Sequence, residues 1–254
     1  MEQTAPANPR IHLMDELRGF AVFCMVFYHG FYTLAYLYNI ELGKILLHFF
    51  MPAEPWFAGL FILIAGISSN LSHSNLARGC KLLGVALVVS LATWLVVPEE
   101  RILFGILHFL SVCMILYGLL QPRLRRDRPF TWRPIAGCAL LFLLTRNISA
   151  GSLGIGPLSV QLPAFLYTTD WLAPLGIYSP GFFSSDYFPL FPWIFVFFAG
   201  TSLGRLAAMG RFPAFAYRAR APFFSWLGRR ALAIYVLHQP VIYGVSWVVS
   251  AIFH

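Results

Sequence analysis

An all-α, polytopic membrane helix bundle is the fold class this sequence predicts, on three observations. Apolar residues make up 59% of the 254-residue chain and charged residues only 11%, about half the charged share of an ordinary soluble domain. The mean hydropathy is +0.71. The apolar residues gather into about seven runs long enough to cross a hydrocarbon core, and the basic residues cluster on one side of them. A chain of this length has no room for a bundle and a soluble domain together, so it reads as a single domain over residues 1–254.

The runs cover roughly residues 17–38, 54–71, 79–97, 102–120, 133–149, 188–208 and 223–252. The fifth has the shortest uninterrupted apolar core, Ile135 to Leu144, and the seventh contains Pro240, where a helix kinks or breaks. Residues 1–13 are polar with little positive charge, and the first run is too long for the apolar region of a cleaved leader. It is expected to stay as a membrane anchor.

Charge sets the orientation. With the N-terminus inside, the inner segments hold fifteen of the eighteen Lys and Arg residues, including Arg10, Arg18, Arg78, Lys81, the loop Arg123–Arg133, Arg205, Arg211, Arg218, Arg220, Arg229 and Arg230. Only Lys44, Arg101 and Arg146 fall outside. Seven spans then put the C-terminus outside. The formal charge of +8 is accounted for by this bias, which leaves membrane lipids rather than nucleic acid as the expected charged partner. Cys24, Cys80, Cys113 and Cys138 lie in or beside apolar runs without disulfide or metal-ligand spacing. They are expected to be free thiols.

One long outer connection, residues 150–187, is rich in Gly, Pro and aromatic residues and carries Asp170 and Asp186 with no basic residue. Its pieces Leu158–Thr168 and Trp171–Ile177 are too short to span. They read either as a cover over a substrate entrance or as an interfacial aromatic belt. No internal repeat is visible, so an inverted-repeat transporter has no support. Gly200-x3-Gly204 permits close helix approach, within the chain or in a homodimer.

Three histidines fall inside the spans. Arg18 and His29 are eleven residues apart, which returns them to within about 20° on one helix face and separates them by about 16 Å along the axis. His29 thus sits near mid-membrane, as do His108, seven residues from Arg101, and His238, early in the last run. Each has a plain alternative as interhelical hydrogen-bonding glue. Zinc is disfavoured, because no His pair has ligand spacing and no acid lies deep in the spans. Asp186 and Glu54 sit near the outer ends of runs six and two. Glu54 before Pro55 fits a helix N-terminal acid, and Asp186 reads equally as such an acid or as one that orients an imidazole. At the inner edge, Arg18, Arg78, Lys81 and Arg229 are placed to neutralise phosphates.

These residues resemble a known family. Asp15-x2-Arg18-Gly19 followed by His29 is similar to the first-span signature of transmembrane acyltransferases. Leu103-Phe104-Gly105-Ile106-Leu107-His108-Phe109, Asp186-Tyr187-Phe188-Pro189-Leu190-Phe191-Pro192-Trp193, Trp226-Leu227-Gly228-Arg229 and Ile234-Tyr235-Val236-Leu237-His238-Gln239-Pro240 resemble the heparan-α-glucosaminide N-acetyltransferase catalytic-domain family, in its short bacterial members. With Gly66-Ile67-Ser68 they cover nearly the whole chain. The resemblance implies a multi-pass protein of the bacterial inner membrane that takes acetyl-CoA from the cytosol as co-substrate. The acetyl group would pass to an amino or hydroxyl group of an outward-facing sugar or glycolipid. It implies catalytic roles for His29, His108, His238 and Asp186, and contact with the CoA phosphates for Arg18, Arg78, Lys81 and Arg229. The reading from another class is a permease or proton-linked carrier that uses the three imidazoles as a relay.

Overall fold

Helix α1 (His12–Tyr32) carries the Arg18–His29 face on one unbroken helix and passes into a π-helical turn, Thr33–Leu37. The structure is a computed structural model, described over residues 10–72, 74–122 and 130–253. Arg123, Arg125, Arg126 and Arg128 of the basic loop, with His73 and His254, lie outside the described residues. The other helices are α2 (Glu41–Phe50), α3 (Glu54–Asn70), α4 (Asn75–Val96), α5 (Ile106–Leu120), α6 (Arg133–Thr145), α7 (Leu190–Ala208), α8 (Pro222–Arg229) and α9 (Ala231–Phe253). The described strands, β1 (Ser152–Leu153) and β2 (Val160–Gln161), form one antiparallel ribbon in the long loop.

The chain is all-helical apart from that ribbon, and five stretches are long and apolar enough to cross a membrane: His12–Leu37, Glu41–Asn70, Asn75–Val96, Leu190–Ala208 and Ala231–Val248. They match five of the expected runs. The other two are shorter. Helix α5 has 15 residues and α6 has 13, about 22 and 20 Å against a core of about 30 Å. The reason is local. Residues 101–105 are non-helical and hydrogen-bonded to the long loop, and α6 starts at Arg133-Pro134 and ends before Arg146. Helix α2 falls in a stretch where no helix was expected. The seventh run also divides: α8 ends at Arg229, Arg230 leaves helical geometry (φ −110°, ψ 13°), and α9 begins at Ala231. The apolar run across residues 223–252 concealed this break, because Phe223, Phe224 and Trp226 read as membrane residues although they belong to a separate short helix.

The chain divides into two compact units, Met1–Ile64 with Gly210–His254, and Ala65–Met209. In the first, α1 packs on α8 with backbone against backbone. A side chain at Gly19 would overlap the Phe224 carbonyl and the Gly228 amide, and one at Gly228 would overlap the Asp15 carbonyl. Both glycines of the sequence signatures are therefore required by close approach. Phe20 and Phe23 meet Phe224 edge-on, each at 5.7 Å between centroids. Glu16 reaches from α1 to cap α8, its Oε1 accepting from the Arg220 and Ala221 amides at 2.7 and 2.9 Å. A buried carboxylate here offsets the unpaired amides at a helix start.

In the second unit the end of α3 lies against α7. The Asn70 side-chain amide donates to the Thr201 carbonyl at 2.8 Å, and a side chain at Gly204 would meet Asn70 and Ile67. Gly200-x3-Gly204 thus serves close approach within the chain. Of the cysteines, all free, Cys24 and Cys113 are buried, whereas Cys80 is exposed.

Candidate functional site

Two imidazole clusters form, one in each unit. In the first, α1 presents His29 and α9 presents His238 and Gln239. The His29 and His238 rings are 4.9 Å apart between centroids and tilted by 55°. The Gln239 side-chain amide lies 3.0 Å from His29 Nδ1. His238 Nδ1 lies 2.5 Å from the Tyr235 carbonyl. A carbonyl only accepts, so Nδ1 carries the proton and Nε2 is the lone-pair nitrogen of the neutral ring. Buried Gln239 Oε1 has no hydrogen-bond partner among the described residues. Rotating this amide by 180° would let Oε1 accept from a His29 Nδ1–H, so Gln239 serves either tautomer of His29. Tyr28 meets the His29 ring edge-on at 5.4 Å.

Eleven residues keep His29 on the Arg18 face of α1, and at Arg18 a guanidinium nitrogen lies 3.3 Å from Asp15 Oδ1. Asp15 also holds Arg10 at 2.7 Å. Arg229 is exposed at the end of α8, in the same unit. Gln239 is the residue that reading the sequence did not single out as functional. The signal was available: a buried amide two residues after Ile-Tyr-Val-Leu and beside a histidine is costly in a span unless it has a partner.

The second cluster is His108, Ser90 and Asp186. His108 lies in the first turn of α5, where its Nδ1 accepts from the Gly105 amide at 3.3 Å. Ser90 Oγ, on α4, donates to the Ile102 carbonyl at 2.5 Å and lies 3.3 Å from His108 Nε2. With its own proton on Ile102, the serine accepts from Nε2–H. Both ring nitrogens of a neutral His108 are thereby engaged. Asp186 Oδ2 accepts from the Ile106 amide at 3.1 Å, supplying in trans the cap that Gly105 lacks a side chain to give. A side chain at Gly105 would collide with Asp186. Around it the long loop is tied to the α4–α5 connection. The Ser185 amide donates to the Arg101 carbonyl, the Phe188 amide to the Phe104 carbonyl, and Ser185 Oγ to the Glu100 carbonyl. Farther along the loop, hydrogen bonds from Ser179 hold Asp170 below the ordinary carboxylate range, and burial pushes the Tyr187 phenol up.

The structure therefore brings His29 and His238 together in one unit, and His108 and Asp186 together in the other. Arg18 and Arg229 belong to the first; Arg78 and Lys81, both exposed on the first turns of α4, belong to the second. Among the described residues no group of three His, Cys, Asp or Glu side chains is placed to hold a metal ion.

Residues 10–240 match the profile of the heparan-alpha-glucosaminide N-acetyltransferase catalytic family. The chain belongs to that family. The match takes in every residue of both clusters and closes on Pro240, directly after Gln239. No curated protein and no solved structure matches the chain. Membership of the heparan-alpha-glucosaminide N-acetyltransferase catalytic family, with five spanning-length helices, makes this a multi-pass membrane protein and a transferase-type enzyme.

Proposed function

We propose that the chain transfers the acetyl group of cytosolic acetyl-CoA to an amino or hydroxyl group of an outward-facing sugar or glycolipid, at the bacterial inner membrane. The observation that carries this reading is the His29 site, where one imidazole meets a side-chain amide at 3.0 Å and a second imidazole at 4.9 Å. His29 is the general base. With Nδ1–H donated to Gln239, its Nε2 takes the proton of the acceptor as the new bond to the acetyl carbon forms. The C–S bond then breaks and the CoA sulfur leaves, taking the proton back from His29. His238, held by Tyr235, lies beside the reacting groups and positions the acceptor.

The engagement of both His108 nitrogens favours His29 over His108 as the base. His108 and Asp186 then act through the architecture of the long loop in the second unit. Arg18 and Arg229 of the first unit contact the CoA phosphates as charge-assisted donors, and Arg78 and Lys81 offer the same chemistry at the start of α4 in the second unit. A sequence with N-terminus inside and seven crossings, α5 and α6 included, places these four side chains on the cytosolic side.

The test is release of free CoA thiol from acetyl-CoA by detergent-purified protein with glucosamine as the probe acceptor. Unmodified protein is expected to turn over and His29→Ala to fall to background while remaining folded. Turnover retained in His29→Ala would overturn the assignment.

A further inference from the structure

We propose that the segment from Gly210 to Arg230 is a binding site for anionic phospholipid headgroups, built on α8. Once α8 is separated from α9 at Arg230, it is an eight-residue helix with two opposite faces. Ser225 and Gly228 are buried, on the side packed against α1. Phe223 and Trp226, about 160° away round the helix, are 58% and 47% exposed. Trp226 thus points away from the α1 packing, while Phe223, though more than half exposed, still meets Phe23 of α1 edge-on at 6.1 Å.

Two exposed rings, Trp226 and Phe215, are each paired with an arginine. The Arg230 guanidinium lies over the Trp226 ring at 4.5 Å, and that of Arg220 over the Phe215 ring at 5.8 Å. No Asp or Glu occurs between residues 210 and 254. The acids that α1 brings to α8 are already engaged, Glu16 on the Arg220 and Ala221 amides and Asp15 on Arg10 and Arg18. Among the described residues Arg218, Arg220 and Arg230 make no ion pair, and all three are exposed.

Guanidiniums without carboxylates, stacked on exposed rings beside a membrane-crossing helix, match the chemistry of a lipid interface. The ring sits at the glycerol level and the guanidinium forks onto the phosphate. The charge calls for an anionic lipid, because a zwitterionic headgroup would set its own cation against three arginines. Capping by Glu16 and the Gly19–Gly228 contact hold the face in place before any lipid arrives.

The test uses detergent-purified protein with dioctanoyl phosphatidylglycerol and dioctanoyl phosphatidylcholine as probes, and lipid binding read by native mass spectrometry. Phosphatidylglycerol is expected to bind at least about tenfold more tightly. Arg220→Gln and Arg230→Gln should each weaken it about fivefold, and the double variant about 25-fold. Trp226→Ser should weaken both lipids. These side chains are exposed, so melting in lipid-free detergent should be unchanged and reports any folding defect separately. Equal affinity for the two lipids, or a double variant that keeps its phosphatidylglycerol affinity, would overturn the proposal. Displacement of phosphatidylglycerol by inorganic phosphate or CoA would overturn it in favour of a soluble phosphate ligand.

Discussion

In the second unit His108 gives both ring nitrogens to its surroundings, accepting from the Gly105 amide and donating to Ser90, which passes its own proton to the Ile102 carbonyl. In the first unit His29 meets a rotatable amide and another imidazole. Both rings belong to apolar helices, yet they do different work. A ring fixed by two backbone-anchored bonds cannot take a substrate proton without breaking one of them. A ring set against Gln239 can exchange tautomers at the cost of an amide rotation. Burial of an imidazole in a membrane helix is therefore a weaker sign of catalysis than the identity of its hydrogen-bond partners.

The sharpest way to break this contrast is to remove each ring in turn. His29→Ala is expected to lower turnover by about 10²- to 10⁴-fold, the range of a lost general base, with little change in the melting temperature. Thiol release per folded molecule, against glucosamine as probe acceptor, checks it. Equal turnover losses for His29→Ala and His108→Ala would erase the distinction between the clusters.

Gln239 comes next. Gln239→Met keeps the length of the side chain without its polar atoms, and should reduce kcat by about tenfold to a hundredfold through misplacement of the base. KM for acetyl-CoA should stay unchanged. Gln239→Glu retains an acceptor for Nδ1–H and should recover most of kcat. A side chain that only fills space would instead leave kcat intact in both variants and lower the melting temperature. Wild-type kcat in Gln239→Met, with His29→Ala inactive, would remove the positioning role and leave the base assignment standing.

How much of this was legible beforehand follows from what each residue depends on. The spans, the family signatures and the Arg18–His29 face depend on composition and helical period, which the chain carries locally. Depth counting alone led to the expected convergence of His29, His108 and His238; the structure sets His29 beside His238 in the first unit and His108 in the second. The pairing of His108 with Asp186 and Ser90 depended on how a 38-residue loop folds back on residues 101–105, and no period encodes that. The division of the last run at Arg230 was hidden for a related reason. A short amphipathic helix ahead of a spanning one extends the same apolar run, and Gly228 is legible only as part of a motif until Asp15 and Gly19 lie against it. Gln239 was missed because its neighbours His238 and Pro240 carried the stronger signals.

His108→Ala should show its effect as stability. It leaves the Gly105 amide and the Ser90 hydroxyl short of a partner, a loss of about 1–3 kcal/mol for a buried polar group, read as a lower melting temperature in detergent. Turnover per folded molecule should fall by less than about tenfold. A larger fall with no loss of stability would move His108 into the chemistry and reverse the comparison between the units.

The smallest effect separates the two meanings of Asp186. As the cap of α5, its carboxylate accepts from the Ile106 amide, and Asp186→Ala should cost about 0.5–2 kcal/mol of stability, the range for a lost helix cap. Asn caps nearly as well as Asp, so Asp186→Asn should restore most of the melting temperature even though the charge is gone. An acid that acts on the chemistry through its charge behaves otherwise, with Asp186→Asn as inactive as Asp186→Ala and both as stable as the unmodified protein. The Asn variant thus separates the two roles by turnover at near-unmodified stability, because the hydrogen bond to α5 needs an oxygen and the electrostatic role needs a carboxylate.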